Sequence, residues 1–134
     1  MKVLLDTHVW LWRLLGSARL ETRERAALDR LAAGAKLRLA AVSLWEAQML
    51  HAKGRLVLDR PFDVWVREAA GAAVIEIVPL DVEVVIAVDG LPASFHGDPA
   101  DRLIVATARA RRVPLATYDR AIRKSRTVTI WRAS

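Results

Sequence analysis

The strongest constraint on this chain is an alternation. Short runs of branched apolar residues at positions 3–5, 37–42, 74–78 and 113–117 are separated by segments with helical spacing. Buried strands that alternate with helices in one small chain form a parallel sheet covered by helices on both faces. Helical spacing follows the first run through Leu15 to Gly16, and resumes from Thr22 to Gly34 with Leu28 and Leu31 inward. A further helix is expected from Ser43 to about Lys53. Pro61 is placed for the first turn of another, in which Phe62, Trp65, Val66 and Ala69 give the i, i+3, i+4, i+7 stripe. Asp81 can cap a short helix that ends at Gly90, and Asp98-Pro99 opens a long one running to about Arg112. Residues 127–131 alternate as a fifth strand at an edge would.

Acidic residues fall at the ends of these runs. Asp6 closes the first strand in VLLDTHVW. Glu46 lies in VSLWEAQ, at the start of the helix after the second. Asp98 and Asp101 stand in HGDPADRLIVATA, and Asp119 follows the fourth strand in LATYDRA. Each has an ordinary structural explanation. Asp6 can be an N-cap. Ser43 and Glu46 have the spacing of a capping box. Asp98 can cap its helix with Pro99 at the first helical position, while Asp101 favours the helix dipole. Asp119 can be a turn residue. Together they point further. In a parallel sheet the C-terminal strand ends and the N-termini of the following helices share one rim, where ligands bind at the reversal of strand order. Carboxylates gathered there raise one another's pKa values. A hard divalent cation such as magnesium relieves that crowding, and its chemistry is metal-assisted phosphodiester cleavage.

Charge supplies a reason for a polyanion to approach. Residues 102–134 carry nine Arg and Lys against a single acid, a balance of +8, whereas residues 1–101 carry twelve against fourteen, a balance of −2. Arg102 and Arg109 share a face of the long helix, and Arg120, Arg123, Lys124 and Arg126 follow the last acid. Such side chains hold nucleic-acid phosphates. The 134 residues, more than half of them apolar, suit one domain over 1–134. The absence of cysteine excludes disulfides, thiolate zinc sites and cysteine nucleophiles. No run approaches the ~20 apolar residues of a membrane helix, and the N-terminus lacks the form of a signal peptide, so a cytoplasmic protein is expected. His8, His51 and His96 form no H-x-x-x-H pair, and there is no G-x-S-x-G elbow or phosphate loop.

The segments LLDTHVWLW, VSLWE, DPADRLIVATA and LATYD, in this order, resemble a PIN-domain ribonuclease, and within that family the VapC-type toxins of toxin–antitoxin pairs. The likeness spans about residues 2–131. It implies a three-layer α/β/α sandwich around a five-stranded parallel sheet of order 3-2-1-4-5. It also implies an endoribonuclease site holding Mg2+ or Mn2+, an RNA substrate, a VapB-type antitoxin that blocks the site, and a homodimer. By position, Asp6, Glu46, Asp101 and Asp119 match the four family acids. Asp98 is a further ligand, an outer group or a cap. Thr7, Thr117 and Ser43 lie where they can support the acids, and Arg102, Arg109, Arg120, Arg123 and Lys124 are the candidate RNA contacts. Ala100 departs from the aromatic residue that relatives often carry there.

Two rival readings share the fold. A non-catalytic RNA- or antitoxin-binding module would use the basic third without needing the acids. An aspartyl-phosphate protein, receiver or phosphatase, would use acids at strand ends. A phosphatase of that kind wants a second Asp two residues after Asp6, where this chain has His8. A receiver wants its acceptor after the third strand, where Pro79-Leu80-Asp81 stands.

Overall fold

The computed structural model describes residues 1–95 and 97–134; His96 lies outside the described residues. The chain runs β1 (Val3–Leu5), α1 (Thr7–Leu15), α2 (Thr22–Ala33), β2 (Leu37–Ala40), α3 (Ala41–Ala52), α4 (Phe62–Ala69), β3 (Glu76–Val78), α5 (Val82–Asp89), α6 (Pro99–Arg111), β4 (Leu115–Ala116) and α7 (Arg120–Ser125). The strands form one parallel sheet of order β3-β2-β1-β4. β1 is central, with Val3 opposite Leu37 on one side and Leu4 opposite Leu115 on the other. The chain winds outward through β2 and β3, then crosses to the far side of β1 for β4. The reversal therefore lies between β1 and β4.

Alternation along each strand divides the core in two. Val3, Leu5, Leu37, Leu39 and Ala116 pack with Trp10, Leu11, Leu28 and Trp65 on one face. Leu4, Ala40, Val78 and Leu115 pack with Ile104, Val105, Ala108 and Ile122 on the other. The three layers expected from the sequence are present.

The expected fifth strand is reduced to a single parallel bridge, Leu115 with Ile130, among the described residues. Leu115 N–H donates to Thr129 O at 2.8 Å, and Trp131 N–H donates to Leu115 O at 2.9 Å. The position in the order is kept but the ladder is short, because β4 begins only after Pro114, which has no N–H to donate. β3 starts at Glu76 rather than Val74, since the amides of Val74 and Ile75 turn back to Gly71 O at 2.8 and 3.0 Å. α3 starts at Ala41, two residues before Ser43, with Ala40 at the cap and no side-chain capping bond. The Ser43–Glu46 capping box does not form. Pro61 takes the cap position of α4 rather than its first turn. Asp119 caps a helix, α7, where only a turn was expected.

Candidate active site

The rim at the C-terminal ends of β1 and β4 gathers the acids. Asp6 follows β1 directly and is 5 % exposed. One oxygen accepts the Thr7 N–H at 2.8 Å, and the other accepts the Thr117 hydroxyl at 2.6 Å. The Asp119 N–H donates to that same Thr117 hydroxyl oxygen at 3.0 Å. One buried threonine at the end of β4 thus ties the first acid to the backbone of the fourth, across 111 residues of sequence.

A second hydroxyl chain holds Glu46. The Thr7 hydroxyl donates to a Glu46 carboxylate oxygen. It also lies 2.7 Å from the Ser43 hydroxyl. A hydroxyl has one proton, so Thr7 spends its own on Glu46 and Ser43 is the donor in the second bond. Both Ser43 and Thr7 are buried. The two extra residues at the start of α3 turn Ser43 and Glu46 away from capping and toward α1.

Asp101 stands in the first turn of α6, half-buried. Asp98 is the N-cap of that helix: one of its oxygens accepts the Asp101 N–H at 2.8 Å. Asp119 does the same for α7, accepting the Ile122 N–H at 3.0 Å.

Electrostatics shows which of these acids meet. Burial, then the negative charges of Asp98, Asp6, Asp119 and Glu46, push the Asp101 carboxyl up to about 7. Burial is the main cause that raises Asp6; Asp119 adds to it, while the Thr117 hydroxyl, His8 and the Thr7 amide oppose it. Glu46 is raised chiefly by burial and further by Asp6 and Asp98, against the Thr7 hydroxyl and His8. Four acids from four parts of the chain therefore act on one another, and Asp98 joins from the cap.

Among the described residues, no three acidic or histidine side chains close on one point as a preformed chelate. This donor set still suits a hard cation. Magnesium keeps several of its waters and binds through one or two carboxylates plus phosphate oxygens. Oxygen donors, mutual repulsion and no thiolate match that preference.

The basic residues divide. Arg120 and Lys124 are exposed on α7, beside Asp119. Arg102 donates to Phe95 O at 3.2 Å, bracing the loop before α6. Arg123 donates to Thr117 O at 2.7 Å and lies over the Tyr118 ring at 5.4 Å. Arg109 is not brought to the rim: it lies about 10 Å along α6 from Arg102, where it donates to Thr127 O at 2.7 Å. His8 was not among the residues expected at the site, yet its charge acts on Asp6 and Glu46. Its place two residues after Asp6, in the first turn of α1, was the available signal.

Comparison with known proteins identifies the family and the fold. The PIN-domain family model matches residues 3–126. Ribonuclease VapC22 of Mycobacterium tuberculosis is 36% identical over 132 residues, covering 96% of this chain and 98% of that protein. The fold matches the structure of VapBC2 from Rickettsia felis bound to a promoter DNA fragment, with a TM-score of 0.74, 15% identity and 98% of each chain covered. It matches DNA-bound VapBC from Salmonella typhimurium equally well, with a TM-score of 0.74, 14% identity, and 98% of this chain and 97% of that one covered. An acidic rim at the reversal of a parallel sheet and a family match over nearly its whole length place this chain in the PIN-domain family, among its VapC-type members.

Proposed function

We propose that this chain is a metal-dependent endoribonuclease and the toxin of a toxin–antitoxin pair. The observation that carries the reading is the gathering of Asp6, Glu46, Asp101 and Asp119 at one rim, with no lysine or arginine paired to any of them among the described residues. The relative named a ribonuclease supports RNA as the substrate. The VapBC assemblies that share the fold support a VapB-type antitoxin partner. A homodimer is proposed on the family resemblance.

Asp6 and Asp101 would be the primary ligands for Mg2+ or Mn2+, and Glu46 and Asp119 would complete the site directly or through water. Bound there, the ion supplies Lewis-acid stabilisation of phosphoryl charge and makes water a better nucleophile near neutral pH. The chain's own residues do the rest. Thr117 and the Thr7 amide hold both oxygens of Asp6. The Ser43–Thr7 chain fixes the direction of Glu46. Burial and the neighbouring carboxylates push the Asp101 carboxyl up to about 7, so a cation held there would favour its ionised form. Asp98 keeps one oxygen on its cap and lends negative potential. Arg120 and Lys124 hold substrate phosphates beside the acids. Burial of β1 and α1 keeps water from the back of Asp6.

The test is RNA cleavage by the purified chain with and without Mg2+, wild type against Asp6→Ala, with RNA ends sequenced. Metal-dependent cleavage lost in the variant is expected. Undiminished cleavage by Asp6→Ala, or RNA binding with no cleavage in any divalent metal, would sink the reading.

A further inference from the structure

A cavity of about 360 Å3 opens off the acidic rim between the loop before α6 and the body of α7. Asp101 and Asp119 line one side of it. Phe95 and Ile122, both buried, form its apolar inner wall, and Ser94 and Lys124 stand at its exposed mouth. Its size is at the small end of the ~300–1,000 Å3 of small-ligand sites, which suits one nucleotide unit and no more. We propose that this cavity receives one unpaired nucleotide of the RNA immediately beside the cut bond, its base against Phe95 and Ile122 and its phosphate at Lys124. The inference rests on the ribonuclease reading and deepens it by naming where the strand is read.

Three observations select this occupant. First, the cavity is continuous with the reacting centre, because two of the four site acids are among its walls. Second, its charge runs in one direction. On the rim side the two carboxylates, without a cation, repel a phosphate, and Lys124, which is exposed and has no ion pair among the described residues, attracts one at the mouth. A neutral, flat, partly apolar group joined to an anion satisfies that gradient, and a nucleotide is such a group. Apolar and aromatic walls with cations along the backbone path are the general means of holding single strands.

Third, the wall is held by a steric requirement. A Cβ on Gly97 would stand 2.8 Å from Phe95 Cε1 and 2.9 Å from Asp101 Cβ. Glycine lets the backbone at 97 pass this close to both the Phe95 ring and Asp101, and Arg102 donates to Phe95 O at 3.2 Å. On the α7 side the Ser125 hydroxyl is already spent, donating to Ile122 O at 2.6 Å. Ser94 is then the hydroxyl at the mouth that can meet a base edge. It is a specificity residue, not a catalytic one.

The experiment has two arms. In the first, AMP, GMP, CMP, UMP, ribose 5-phosphate and inorganic phosphate are titrated in turn into the isotopically labelled full chain, and amide shifts are followed by NMR. At least one nucleotide should move the amides of Ser94, Gly97, Ala121 and Lys124 while leaving Arg109 and Trp131 in place. Ala121→Trp, at an exposed position lining the cavity, should remove the response. Ser94→Ala should narrow the difference between bases with the fold unchanged. In the second arm a randomised single-stranded RNA pool is cleaved and its ends sequenced. Wild type should show a base preference at one position next to the cut, and Ala121→Trp should flatten it and raise KM several-fold, with Mn2+ affinity unchanged.

Equal shifts from ribose 5-phosphate or inorganic phosphate would reduce the site to an anion contact and overturn the proposal. A nucleotide response that survives Ala121→Trp, or no response to any nucleotide, would also overturn it. Failure of the ribonuclease reading looks different: the nucleotide shifts would persist while wild type cut no RNA in any divalent metal.

Discussion

The chain treats its acids in two ways. Glu76 on the edge strand is met by Lys2 at 3.0 Å and Arg38 at 3.3 Å, Asp81 by Arg111 at 2.5 Å, and Asp59 by Arg60 at 2.9 Å. The side-chain bond to its cation is the first cause holding each of these carboxyls below its usual range. At the rim the sign reverses. Asp6, Glu46 and Asp101 are all raised, with burial the first cause in each case. The hydrogen-bond partners of Asp6 and Glu46 are hydroxyls and an amide, not ammonium or guanidinium groups. A chain with 21 Lys and Arg is not short of cations. Glu76, Asp81 and Asp59 each receive one, whereas the acids that converge at the sheet's reversal receive none among the described residues.

Removing a rim acid should disturb this contrast most. Asp6→Asn should lower metal-dependent cleavage on the order of a hundred- to a thousandfold, as several kcal/mol of charge stabilisation is lost. Its thermal midpoint without metal should hold or rise, because one of the repelling charges is gone. A midpoint that collapses would mean that Asp6 is mainly structural. Next comes Thr117→Val. It leaves Asp6 buried with one oxygen unsatisfied, at a cost of about 1–3 kcal/mol, read from urea unfolding without metal. Thr117→Ser should restore most of it.

The third test is pH. Asp101 has a folded pKa of about 7 against an ordinary value of 3.8. Between those values the folded chain binds more protons than the unfolded one, so stability falls as pH rises. The metal-free midpoint should drop from about pH 4 to pH 7 and level off above. Mg2+ should lift it most at the high end, and Asp101→Asn should flatten the slope. A midpoint that rises over this window would contradict the crowding. The smallest effect is expected at the edge. Glu76→Gln removes two ion pairs, to Lys2 and Arg38, around an exposed carboxylate; such pairs contribute little, and the change should leave the midpoint and the cleavage rate unresolved from wild type.

Much of the fold and most of the rim are legible in the amino-acid sequence. Asp98 and Asp81 cap the helices expected of them, because a cap depends on groups within three residues of it. Gly16 takes φ 65° and closes α1, as a glycine after a periodic run should. The strand order follows from family resemblance, and the acids can be placed on one rim because every parallel strand ends on the same side. The basic residues are harder. Arg102, Arg109 and Arg123 read as phosphate contacts, yet all three guanidinium groups reach backbone carbonyls. Charge in a sequence does not reveal which carbonyl lies within reach.

Ser43 and Glu46 mark the boundary most clearly. Their spacing predicts a capping box, a local structure that competes with nothing if the helix begins at Ser43. The helix begins at Ala41 instead, and Thr7, 36 residues earlier than Ser43, takes both side chains. Periodicity and capping act over a few residues, so local pattern was enough for the alternation of strands and helices, for the caps at Asp6, Asp81 and Asp98, and for the acids that follow the strands. The fate of the fifth strand, the pairing of each hydroxyl with its carboxylate, and the close packing of Gly97 against Phe95 and Asp101 were settled only in the folded chain. Those outcomes depend on contacts between residues far apart in the chain, and on burial that no local pattern encodes.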